Sequence, residues 1–108
     1  MIHYLLLKFR PGSCGSQIRK RAEAAYRDLA CQVEGIISAQ VLDNCVFRDS
    51  NADLMVRLEL SGPQVLTAYL EHPVHRHFAE EIEPCVSQRL TFDHMETERQ
   101  ERKGEERS

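Results

Sequence analysis

Apolar and polar positions change their period several times along this chain, and each change marks a new element. Residues 2–9 (IHYLLLKF) are apolar at odd and even positions alike, as in a strand covered on both faces. Pro11-Gly12 ends that run. From 16 to 33, Ile18, Ala22, Ala25, Tyr26, Leu29 and Val33 recur at helical spacing, which predicts one buried face of an amphipathic helix. Gly35 is placed to close it. Residues 36–48 (IISAQVLDNCVFR) read as a second strand, bulged near Asp43-Asn44. The stretch 49–53 (DSNAD) reads as a turn, and 54–60 (LMVRLEL) as a third strand paired antiparallel with the second.

Ser61-Gly62-Pro63 then opens a second helix, running to about Leu70. His72-Pro73 interrupts it, because the residue before a proline is pushed out of helical geometry while proline suits a helix start. The restarted segment runs from Pro73 to about Glu83, and Pro84 helps to stop it. Residues 86–94 (VSQRLTFDH) predict a fourth strand, with Val86, Leu90, Phe92 and His94 on one face.

The order β-α-β-β-α-β is that of an α+β, ferredoxin-like split βαβ: a four-stranded antiparallel sheet with its helices on one face. The doubly apolar first strand then requires a cover for the opposite face. The simplest cover is the same face of a second copy, which predicts a homodimer forming an α+β barrel. Residues 1–95 are expected to make this one domain. The tail 96–108, almost all charged or polar, is expected to be disordered, or a frayed helix, from about residue 97 because it lacks the apolar surface that would offset ordering.

Composition narrows the partners. A length of 108 residues suits one domain, and a net charge of −3 argues against a sequence-independent nucleic-acid binder, which needs a basic face. The apolar N-terminal run is far too short to span a bilayer and has no basic leader or cleavage site, so no membrane partner is expected. Four cysteines stand at 14, 31, 45 and 85 with no Cys-x-x-Cys pair. Cys31, Cys45 and Cys85 lie in apolar runs and are expected as small buried hydrophobes. A reduced, cytoplasmic protein follows as the expectation.

The densest chemistry is YLEHPVHRHF, residues 69–78. In a helix starting at Pro73, His75 shares a stripe with Phe78, Ala79 and Ile82, whereas His77 sides with Arg76, Glu80 and Glu81 in water. His72 sits at the break, where it can cap the new helix. The break also frees Tyr69 to converge with His75, giving a base near neutral pH and a hydrogen-bond donor. Histidines at 72, 75 and 77 do not share a face with a further ligand, so no metal site is expected.

MIHYLLLKFRPG at the start, Tyr69 with His72-Pro73-Val74-His75, and RLTFDH at 89–94 together resemble the stress-responsive A/B barrel domain (Dabb) family. The resemblance covers residues 1 to about 95 and implies the dimeric α+β barrel. Many members have no assigned activity, and some are linked to stress. One branch, the olivetolic acid cyclase-type polyketide cyclases, performs an intramolecular aldol condensation with no cofactor. By that resemblance Tyr69 and His75 are the candidate catalytic pair. His3, Leu5, Leu7, Tyr26, Val56, Phe78 and His94 are candidates to line a site for a small apolar carbonyl ligand. The chain departs from that branch: Leu54 replaces a further histidine, His94 replaces a terminal tyrosine, and Ser87, Arg89 and Thr91 are polar where a polyketide pocket is apolar.

Two readings follow. One is a homodimeric binding protein of unassigned, stress-related or small-molecule function. The other is a cofactor-independent cyclase or lyase, or a cofactor-free monooxygenase on the same barrel. RNA recognition, which the split βαβ also hosts, is disfavoured because LMVRLEL offers no stacking aromatic.

Overall fold

The computed structural model describes residues 1–96. The expected disorder of the charged tail from about residue 97 lies outside them. Strands β1 (Ile2–Phe9), β2 (Ile36–Asp43), β3 (Leu54–Leu60) and β4 (Val86–His94) form one sheet in the order β2-β3-β1-β4. Every neighbouring pair is antiparallel. Helices α1 (Gly15–Gln32), α2 (Pro63–Glu71) and α3 (Pro73–Ile82) complete the ferredoxin-like α+β fold, with a 3₁₀ turn at Glu83–Cys85 leading into β4.

Alternation along the strands sorts the side chains. On the helix-facing side, Leu5 and Leu7 of β1 meet Leu54, Val56, Leu58 and Leu60 of β3, and all six are buried. Ile18, Ala22, Tyr26 and Leu29 of α1 close over them, with Phe78 and Ile82 of α3. Gly35 ends the α1 connection at φ +103°, where a Cβ would come within 2.5 Å of Val65 Cγ2. Only glycine meets both demands.

The opposite face carries Tyr4 and Leu6 of β1, Met55 of β3, and Leu90, Phe92 and His94 of β4. Leu90 and Phe92 are 55% and 60% exposed, so no described element of this chain covers that part of the face. The doubly apolar first strand called for a cover on this face, and no described element of this chain supplies one there.

Three local expectations are corrected. The second strand stops at Asp43, not at residue 48, and its irregularity falls between Ile36 and Ser38. Asn44 explains the early stop. Its Oδ1 accepts from Val46 N–H at 3.2 Å and from Asn51 Nδ2 at 3.2 Å, so the side chain folds the backbone into a loop instead of a ladder. Val86 does not share a face with Leu90, Phe92 and His94. A bulge between Lys8 and Phe9 turns it into the core, where it is 8% exposed. Finally, Cys31 and Cys45 are exposed and Cys85 only half-buried. Cys31 falls two positions beyond Leu29, on the outer side of α1, and Cys45 lies in the loop that follows the shortened strand.

Candidate functional site

The chain breaks between α2 and α3 as expected. His72 is extended (φ −69°, ψ 139°), and its Nδ1 accepts from Val74 N–H at 3.1 Å, capping α3. His77 points outward, 76% exposed, 4.0 Å from Glu81. The break lets Tyr69, at the end of α2, and His75, at the start of α3, meet with ring centroids 4.5 Å apart.

Around this pair the fold gathers a polar cluster inside an otherwise apolar layer. Tyr69 is fully buried, and its hydroxyl is 2.5 Å from the hydroxyl of Tyr26 on α1. His3 of β1 lies edge-on to Tyr69 at 5.6 Å. Its Nδ1 is 2.5 Å from Asp93 Oδ1 on β4, its antiparallel partner in register. A carboxylate only accepts, so His3 Nδ1 carries the proton in that bond. Phe78 packs its edge against Tyr26 at 5.8 Å.

Burial sets the protonation states. Desolvation pushes Tyr26 up to about 12, against the bond from Tyr69 that lowers it. Tyr69 also rises, first through burial and then through Tyr26. Both phenols therefore stay protonated at neutral pH. Within the pair one hydroxyl donates to the other, which leaves one O–H free to donate to a third group. His75 is shifted down, mainly by desolvation, with smaller pushes from Arg89 and His3. Its Nδ1 is 3.1 Å from Leu70 O. A carbonyl only accepts, so Nδ1 holds the proton, and the neutral ring presents the Nε2 lone pair as a base.

Of the candidate residues, the structure brings together Tyr69, His75, His3, Tyr26 and Phe78, with Leu5, Leu7 and Val56 buried beneath them on the same side of the sheet. It does not bring His94. That residue pairs with Ile2 on the opposite face and stacks on Tyr4, with centroids 5.9 Å apart and planes 9° from parallel. Asp93 was missed as a site residue. The signal was the alternation of β4, which sends 89, 91 and 93 to the helix side once 90, 92 and 94 face away. An apolar groove of about 410 Å³ between α1 and α3 is floored by Ala25, Val74 and Phe78, and neither Tyr69 nor His75 lines it. Among the described residues, no three His, Cys, Asp or Glu side chains are grouped as a metal ion would need. None of the described helices is long and apolar enough to cross a membrane.

Comparison with known proteins shows the family and the fold. The family model described as the stress responsive A/B barrel domain matches residues 1–96. No curated protein matches the chain. Among solved structures, a dimeric protein of unknown function and ferredoxin-like fold from Bacteroides fragilis superposes with a TM-score of 0.77 at 16% identity, covering 88% of this chain and 94% of its own. A Dabb family protein with a ferredoxin-like fold from Mesorhizobium loti gives 0.66 at 18% identity, over 89% and 95%. The hydroxynitrile lyase of Passiflora edulis gives 0.72 at 13% identity, over 90% and 93%. At such identities the likeness is one of fold.

Proposed function

The chain belongs to the stress responsive A/B barrel domain family, and from that premise we propose that it is a small homodimer binding a small carbonyl compound at the Tyr69–His75 cluster. The buried polar cluster carries the reading. A layer built only for stability has no need of two paired phenols and two histidines among leucines, since each polar group costs free energy to desolvate. Here one phenolic O–H and one imidazole lone pair remain to be answered by a ligand carbonyl and its adjacent C–H. The exposed face of Tyr4, Leu90 and Phe92 supports pairing through the sheet, and the Bacteroides fragilis neighbour is itself dimeric. Four free cysteines suit a reducing, cytoplasmic setting.

A titration of the His75 imidazole resonances with β-polyketones tests the site. Saturable shifts are expected, and silence towards every compound overturns the reading. Sedimentation tests the pairing: a monomer at micromolar concentration overturns the dimer.

One observation favours a second reading, a cofactor-independent lyase or cyclase. The bond from His75 Nδ1 to Leu70 O holds the ring in the tautomer a general base requires. In that reaction the acidic C–H between two carbonyls gives its proton to Nε2. The electron pair passes into the carbonyl oxygen as an enolate, which the free tyrosine O–H stabilises. The Passiflora edulis neighbour, itself a lyase, supports such chemistry on this fold. Exchange of the central protons of a β-diketone into deuterated water faster than in buffer alone, with that excess lost in His75→Gln, distinguishes this from binding alone.

A further inference from the structure

The helix-facing side of β4 departs from the rest of that side of the sheet. Opposite Leu5 and Leu7 of β1, both buried, stand Thr91 and Arg89, and opposite His3 stands Asp93. Arg89, Thr91 and Asp93 are all exposed, so this row is open to water although it faces the same way as the core. It forms a polar ledge that leads from solvent to the Tyr26–Tyr69–His75 cluster. Arg89 is the cation of that ledge. By register it stands opposite Leu7, on the side of the sheet that also carries Tyr26 and Tyr69.

We infer that the ligand of this site carries a carboxylate beside its carbonyl, as a β-keto acid does, and that Arg89 selects it. The inference rests on the ligand site proposed above and names its substrate class. Arginine offers five N–H donors in a planar fork that fits a carboxylate two bonds at a time. The ion pair described for it is with Glu83, at 3.7 Å, and Glu83 is 72% exposed. A contact of that length to a solvated carboxylate is weak and leaves the fork available. Asp93 lies four residues along the strand, about 13 Å away at a rise near 3.3 Å per residue. Its carboxylate is bonded to His3 Nδ1, and its charge reaches Tyr69, so the carboxylate of the ligand belongs at the Arg89 end of the row, away from it. An arginine on an edge strand also discourages strand addition. That role changes solubility, and it makes no distinction between an anionic and a neutral ligand.

Acetoacetate and acetylacetone separate the two. They share shape and the central methylene, and differ in a carboxylate oxygen for a methyl group. Both are titrated into the full chain at neutral pH, read by the His75 imidazole resonances. Acetoacetate is expected to bind about tenfold more tightly, with the advantage shrinking as salt is raised. In Arg89→Gln the ratio of the two affinities falls to within about twofold. Arg89→Lys keeps part of the advantage. Equal binding of the two probes to the native chain, an advantage insensitive to salt, or one that survives in Arg89→Gln overturns the selection and leaves the His75 site standing. If neither probe moves His75, the site itself falls and the inference with it. The salt series uses the native chain and so decides the matter even if Arg89→Gln does not fold.

Discussion

Leu6 and Leu7 are adjacent in β1 and meet opposite environments. Leu7 is fully buried under the helices, in a layer closed by α1 and α3. Leu6 points to the other side, half-buried beside Leu90, which is 55% exposed. The difference between the two faces teaches where each kind of energy resides. The helix side is complete within one chain and spends part of its interior on Tyr26, Tyr69 and His3. The outer side is apolar and unfinished: Phe92 is 60% exposed and Tyr4 lies against it at 6.3 Å. One face holds the buried polar cluster, and the other holds apolar surface that no described element covers.

Substitutions that act on one face only can break this contrast. Leu58→Ala, in the complete face, is expected to cost about 2–5 kcal/mol in urea unfolding. A cost near zero would mean that the helix side is loosely packed. On the unfinished face, Phe92→Asp places a charge where a partner would sit. It is expected to weaken dimerisation by roughly thirtyfold or more, seen by sedimentation, while far-UV dichroism is unchanged. An unaltered association constant would put the interface elsewhere.

Smaller effects sharpen the picture of the cluster. Tyr69→Phe strands the Tyr26 hydroxyl in the core and should lower stability by about 1–3 kcal/mol. The Tyr26→Phe/Tyr69→Phe double variant is expected to lose less than the two single variants summed, because neither hydroxyl is then left behind. Additive losses would show that the pair is not coupled. The smallest effect is in pH. Folding lowers the pKa of His75, so below the ordinary value of about 6.5 the unfolded chain takes up the proton first. Stability contributed by the neutral ring is complete above that value and is lost as pH falls through the folded one. His75→Gln should therefore show a shallower decline of stability on mild acidification than the native chain. Equal slopes would show that the imidazole is not desolvated.

Much of this was legible in the residues. The period of two in LMVRLEL and the spacing of Ile18, Ala22, Tyr26 and Leu29 locate a strand and a helix because neighbours two, three and four apart are set by backbone geometry alone. His72-Pro73 announced its own break for the same reason, since the clash it avoids lies between adjacent residues. Its consequence, the meeting of Tyr69 with His75, needs only the six residues around it. Asn44 was harder. Whether an asparagine continues a strand or folds it depends on what its amide finds, and here it finds Val46 and Asn51.

Local sequence thus settled the order of the elements, the doubly apolar first strand and the His–Tyr pair. Tertiary structure alone decided that Tyr26 answers Tyr69 from 43 residues away and that Asp93 answers His3 from 90. It also decided that Cys31 and Cys45 face water and that His94 lies on the far side of the sheet from the cluster. Partners so distant along the chain are chosen by strand register and helix docking. These minimise the free energy of the whole fold and leave no mark in the spacing of neighbours.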